Sequence, residues 1–486
     1  MAHPQAPLLI GAVLLALLAV FAEPVQAQVV GAGGAHTCAL LDDGTVKCWG
    51  SNDNGRLGQG DTRRRGDDPD EMGGDLPAIA LGTGRTATAL AVGGSHTCVL
   101  LDDASVKCWG SNDNGRLGAG NTDHLGDDPD EMGDDLPAID LGTGRTATAI
   151  SAGIHHVCAL LDNGSVKCWG RNTDGQLGLG DTDDRGDDED EMGDDLPAVD
   201  LGTGRTATAI IAGNLHTCAL LDDSSLKCWG SNNNGRLGLG DDDNRGDDAD
   251  EMGDDLPAIN LGTGRTATAV SVGSITCAVL DDGSLKCWGP GTNGRLGLGD
   301  TDARGDGADE MGDDLPAVAL GTGRTATAVE AGGSHTCALL DNGDLKCWGG
   351  NGNGRLGLGD TNNRGDDADE MGDDLPAVAL GTGRNAIDLD VRENHTCALL
   401  DNGSVKCWGR NTEGQLGQGD TNNRGDDADE MGDDLPAVDL DGAILPVELT
   451  AFDVFTDHQQ RVHLRWSTRS ETLNAGFDIQ IQPGSA

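Results

Sequence analysis

His36 to Gly50 reads HTCALLDDGTVKCWG. Two apolar stretches flank Asp42-Asp43-Gly44, a three-residue turn whose glycine suits the left-handed last position of a hairpin loop. Such a hairpin sets Cys38 opposite Cys48 on one face of the ladder. Directly opposed Cβ atoms lie about 4.5–5.5 Å apart, close to what a disulfide needs. The stretch recurs six more times. Its closing tryptophans are Trp49, Trp109, Trp169, Trp229, Trp288, Trp348 and Trp408, spaced by 60 residues except for one step of 59, where GSITC shortens the fifth copy. Each copy keeps its two cysteines ten apart: Cys38 and Cys48, Cys98 and Cys108, Cys158 and Cys168, Cys218 and Cys228, Cys277 and Cys287, Cys337 and Cys347, Cys397 and Cys407.

Working outward, the second unit adds two further segments with strand character. Leu76–Leu81 is short and begins beside Pro77, where an edge strand tolerates proline. Thr86–Val92 alternates small and apolar residues with the period of two that marks a strand. His96–Leu101 and Ser105–Trp109 form the hairpin. Four short strands per unit without helical periodicity predict a radial all-β repeat, a seven-bladed β-propeller of four-stranded blades. The first unit lacks an LPA strand ahead of it, and the last leaves Leu435–Leu440 unused. That segment is therefore expected to join the first blade and close the ring, which removes exposed strand edges.

The ends differ from the repeat. Pro7 to Ala22 is apolar and is followed by Val25-Gln26-Ala27, a small-residue cleavage pattern, so residues 1–27 read as a secretory signal peptide. The propeller is assigned to 28–440. Residues 441–486 bring in three of the four phenylalanines and a tryptophan on LPVELTAF, RVHLRWST and FDIQIQ, three strand-like runs that read as a truncated β-sandwich-like tail. Between leader and tail no tyrosine or phenylalanine occurs.

The net charge is −51, from 83 acidic against 32 basic residues. Such a surface repels nucleic acid and anionic membrane. Export makes oxidation of the fourteen cysteines plausible, as seven disulfides. The acidic loops, DDPDEMGGD at Asp67 to Asp75 and its copies, place Asp67, Asp68, Asp70 and Glu71, and again Asp187, Asp188, Asp190 and Glu191, beside flexible glycine. Dense carboxylates are the oxygen donors calcium takes, although the spacing is not that of an EF-hand. The single methionine in each loop (Met72 in the first) is expected to plug the blade edge. Arg85, in GTGRTAT, is expected to pair with the acidic loops. The strand that follows it argues against a dinucleotide turn. Six histidines precede the first cysteine of their unit (His36, His96, His156, His216, His335, His395) and are expected to hydrogen-bond the adjacent backbone turn. Unique function is sought where the pattern breaks: His124-Leu125, Ile154-His155, Asn214-Leu215, Gly273-Ser274-Ile275, Pro290-Gly291 and Val391-Arg392-Glu393-Asn394.

The third unit carries His156-Val157-Cys158-Ala159-Leu160, Asn163-Gly164-Ser165-Val166-Lys167-Cys168-Trp169-Gly170, Asn172 and Gly175-Gln176-Leu177-Gly178. This resembles the regulator of chromosome condensation repeat over about 28–440. The resemblance implies a seven-bladed propeller. A nuclear member of that family promotes nucleotide exchange on a small GTPase and binds chromatin, while secreted bacterial members bind proteins through a propeller face. The tail resembles the opening of a fibronectin type III-like module. Together these predict a monomeric, secreted or cell-surface, non-catalytic scaffold. It would bind an extracellular protein or surface ligand through its loops, with no cofactor, no nucleic acid and no membrane insertion. A calcium-dependent adhesive protein and a GTPase exchange factor are the alternatives.

Overall fold

The hairpin stretch folds as its pattern requires. In the first unit of the computed structural model, strand β1 (Ala27–Ala32) pairs antiparallel with β2 (His36–Leu41), and β2 with β3 (Val46–Gly50). The residues described are 26–440, 449–456 and 462–468. Cys38 faces Cys48 in the β2–β3 register, and their sulfurs lie at disulfide distance, 2.12 Å. The other six pairs repeat this arrangement at 2.10–2.14 Å. Gly44 takes the left-handed turn position at φ 80°, and a Cβ there would meet Thr86 at 2.6 Å.

Seven such three-stranded sheets make up the unit Val25–Gly442, so the expected number of blades is present. Four strands per blade are not. Leu76–Leu81 follows β3 without forming a ladder, holding it by one backbone bond from Ile79 N to Val46 O at 2.8 Å. Pro77 has no N–H to donate, which limits further pairing at this edge. The same bond recurs in every unit and ends with Val438 N to Val405 O. Leu435–Leu440 therefore belongs to the seventh sheet and is not the missing fourth strand of the first.

Each sheet packs one face against its predecessor, and the first packs against the seventh. One cluster joins Val30, Ala39 and Trp49 to Cys397, Val405 and Leu440. All seven repeat tryptophans have no exposed surface. Trp49 Nε1 donates to Gln415 O at 3.0 Å, as Trp109 Nε1 does to Arg56 O at 3.1 Å, so these indoles seal the seam with a neighbour and keep their polar atoms paired, whereas Trp288 Nε1 in the fifth copy is buried without a partner.

The segments beyond Gly442 form a separate unit. Within it Leu449–Thr456 and Val462–Thr468 pair antiparallel, with Phe452 opposite Trp466. These match two of the three expected tail strands. The third, FDIQIQ, and residues 1–25, most of the expected signal peptide, lie outside the described residues. Among the described residues no helix is long and apolar enough to cross a membrane.

Candidate functional site at the channel mouth

The first strands of all seven sheets line a central cavity of about 300 Å³. The fifth residue of each such strand faces the next blade beside this channel. In order these residues are Gly31, Ala91, Ser151, Ile211, Ser271, Glu330 and Asp390. Small or polar residues here can cap the free N–H of the neighbouring strand. Ala212 N donates to Ser151 Oγ, Ala331 N to Ser271 Oγ and Ala32 N to Asp390 Oδ2, each at 2.9 Å.

Glu330 and Asp390 exceed what capping requires. Ser271 Oγ donates to Glu330 Oε2 at 2.8 Å. Burial, and then the charge of Asp390, push the Glu330 carboxyl up to about 8. Asp388 rises to about 6 through burial and the same neighbour, and Asp390 rises through burial against the opposing pull of Arg392. Sequence reading missed these three carboxyls. The available signal was their position, because the equivalent residues in other copies are neutral.

The loops between first and second strands gather at one mouth of the channel, and four of the six pattern breaks meet there. Consecutive loops are linked by backbone bonds, among them Ile154 N to Gly213 O and Asn214 N to Gly273 O. Arg392 reaches from the seventh sheet to the second and third, donating from Nη2 to Val92 O at 3.0 Å and Ala152 O at 2.7 Å. Glu393 Oε1 accepts from Asn214 Nδ2 at 3.0 Å, and the same amide donates to Ser274 Oγ at 2.9 Å. His155 is held neutral, at about 4, by burial and by the Arg116 and Arg171 charges. The other two breaks lie in the segments after third strands. Leu125 bridges Gly110, His124 Nδ1 accepts from Asn112 N, and Gly291 sits against Asp302 O.

The repeated histidines bond differently from expectation. His36 Nε2 donates to Thr97 Oγ1 of the next blade at 3.1 Å, and Thr97 donates to Arg56 O at 3.1 Å. The hydroxyl proton is committed to the carbonyl, so the histidine must supply the other proton. The pattern runs through His156, His216 and His335 and joins the ends of the chain where His395 meets Thr37 at 2.9 Å. Burial drives these imidazoles far below their usual range, to about 3 at His156 and about 4 at His395.

Arg85 likewise departs from expectation: it pairs with Asp102 and Asp103 in the hairpin turn, at 3.2 and 3.0 Å. The acidic loop instead supplies Asp134, which accepts from Thr83 N and Thr83 Oγ1. Met132 lies against the Trp109 seam, as a plug should.

Within the acidic loops, the carboxylates proposed for calcium turn inward in part. Glu71 Oε2 accepts from Gly66 N at 2.9 Å and Asp68 N at 3.2 Å; Glu191 Oε2 accepts from Gly186, Asp187 and Asp188 N at 2.9, 3.2 and 3.1 Å. Glu71 is raised by burial and by Asp67 beside it, and Asp187 by burial and by Glu191. Asp68, Asp70, Asp188 and Asp190 are exposed. Among the described residues no three His, Cys, Asp or Glu side chains are grouped to hold a metal ion.

Comparison with known proteins agrees with this architecture. A model described as "RCC1-like domain" matches residues 14–371, and one for the regulator of chromosome condensation (RCC1) repeat matches 393–415. The ultraviolet-B receptor UVR8 of Arabidopsis thaliana is 30% identical over 409 residues, covering 83% of this chain and 82% of that protein. The human E3 ubiquitin-protein ligase HERC2 is 30% identical over 212 residues, 43% of this chain and only 4% of HERC2. Among solved structures, human WBSCR16 superposes with a TM-score of 0.60 at 18% identity, covering 84% of this chain and 96% of that one. Prp20p of Saccharomyces cerevisiae gives 0.54 at 19% identity, covering 75% and 80%. With seven repeat sheets around one channel and matches along most of its length, the chain belongs to the RCC1-like family.

Proposed function

We propose that this chain is an exported, non-catalytic scaffold that holds a protein partner at the channel mouth. One observation carries the reading. The copies are nearly identical where they build blades and diverge at this mouth, where Glu393, Asn214 and Ser274 come together beside Arg392. Residues that repeat serve the repeat, whereas loops displayed on a rigid frame carry recognition. Export is supported by the apolar leader and by fourteen buried cysteines in seven pairs at disulfide distance, which we take to be oxidised. Protein binding also fits a family in which Prp20p has been studied for binding to Gsp1p and histones.

The test is capture by cross-linking in the native medium, with Glu393→Lys at the mouth and Arg205→Glu at the opposite ends of the strands. A partner retained by Arg205→Glu and lost by Glu393→Lys is the expected result. Retention by both variants places the interface elsewhere. Thiol labelling of the secreted protein should find cysteines only after reduction, and free thiols in the unreduced protein would contradict export. On this reading, calcium leaves the melting temperature unchanged and the protein does not accelerate nucleotide release from a GTPase. A positive result in either assay would favour the corresponding alternative.

A further inference from the structure

We infer that the leader is removed after Ala22, so that the mature chain begins at Glu23 and keeps Gln26 and Ala27 for the fold. This rests on the exported reading above. Two small-residue patterns follow the apolar run, Val20-Phe21-Ala22 at its end and Val25-Gln26-Ala27 five residues later, and either satisfies the small-residue rule for a leader peptidase. The fold distinguishes them.

In the second blade, Thr86 and Ala87 enter the first strand through two backbone bonds. Asp102 N donates to Thr86 O at 2.9 Å, and Ala87 N donates to Gly44 O in the previous hairpin turn at 2.8 Å. The first bond recurs in the following blades, with Asn385 taking the threonine's place in the seventh. Gln26 and Ala27 fill the same two positions for the first blade. Asp42 N donates to Gln26 O at 2.9 Å, and Ala27 N donates to Gly403 O at 3.3 Å, which ties the first sheet to the seventh hairpin. Ala27 is 6% exposed and lies in the cluster that joins the first and last sheets. A Cβ on Gly403 would strike Gln26 at 2.6 Å, as one on Gly44 would strike Thr86.

Cleavage after Ala27 would remove both residues. It would leave Asp42 N and Gly403 O without these partners at the one seam where the chain's two ends must meet. Cleavage after Ala22 leaves a short lead-in ahead of Gln26, keeps the first of these bonds in all seven blades and keeps the second at the closing seam of the ring.

The experiment is N-terminal sequencing and intact-mass measurement of the full chain secreted from an exporting bacterial host. A mature terminus at Glu23 is expected, and a terminus at Gln28 overturns the assignment. Retention of the whole uncut chain inside the cell overturns the exported reading itself. Ala22→Leu should abolish the processed form while Ala27→Leu still yields it, because only the first places a bulky residue at the scissile position. The reverse pattern overturns the assignment. Processing is read on the nascent chain, so the result does not depend on either variant folding well. As a second measure, a chain beginning at Gln28 should melt at a lower temperature than one beginning at Glu23, and equal melting would remove the structural reason for the choice.

Discussion

A single substitution in the repeat exposes the logic of the histidine–threonine relay. The third copy has Val157 where the others have threonine, and His96 consequently has both ring nitrogens buried without a partner. Val157→Thr should stabilise the protein despite the usual penalty for a buried hydroxyl, because that hydroxyl completes an existing pair of donor and acceptor. Thr97→Val should have the opposite sign, stranding His36 Nε2 at a cost of about 1–3 kcal/mol. Urea denaturation of the two variants checks this, and destabilisation by both would show that the relay contributes nothing net. The fifth copy departs differently, with buried Ile275 replacing the histidine, so no imidazole is left there to pair.

At the level of elements, the fourth segment of each blade is held by a side chain more than by a sheet ladder. Lys107, 8% exposed, donates from Nζ to Leu81 O at 3.1 Å and to Gly133 O at 2.7 Å, joining one blade's edge segment to the next blade's acidic loop. Lys227, Lys286, Lys346 and Lys406 do the same work, and Lys47 binds Leu440 O and Gly73 O at the seam between the first and last repeats. Lys107→Met preserves the bulk of the stem and removes the charge-assisted bonds. It should cost about 1.5–3 kcal/mol, whereas Arg85→Ala, which breaks half-exposed pairs in a hairpin turn, should cost at most about 1 kcal/mol. Chemical denaturation of the two variants side by side tests this order, and equal losses would place the edge segment's hold elsewhere.

Over the whole molecule, two sets of buried groups shape the pH dependence in opposite directions. The repeat histidines stay neutral in the fold down to about 3 at His156 and about 4 at His395, while the unfolded chain takes up protons near 6.5. Below 6.5 the unfolded state therefore binds more protons, and stability falls with falling pH. Glu330 ionises near 4.5 when unfolded but holds its proton to about 8 in the channel. Between those values the folded state binds the extra proton, so this group's contribution falls as pH rises. With six histidines against few carboxyls, stability should climb to about pH 6.5 and then decline gently to about 8. Glu330→Gln should flatten the decline and leave the acid limb in place, as measured by thermal melting across pH. An unchanged alkaline limb would show that the channel carboxyls do not carry it.

The opposition of Cys38 to Cys48, the turn at Gly44, the sheet count and the all-β class were all legible in the residues, because strand period and hairpin register are local. They depend on neighbours within about ten positions and are stated seven times over. The partners of Arg85 and of the histidines were not legible, nor was the place of Leu435–Leu440. The histidine contacts depend on how one blade stands against the next, which a repeat of period 60 leaves open, while Arg85 meets Asp102 and Leu435–Leu440 meets Val405 within their own blades, through loop and edge geometry that the strand period does not specify. Several of the pattern breaks could be found by comparing copies. Packing alone brings Arg392, Glu393, Asn214 and Ser274 together at one mouth and sets Glu330 beside Asp390, because closing seven sheets around a channel places residues far apart in the chain within hydrogen-bond reach.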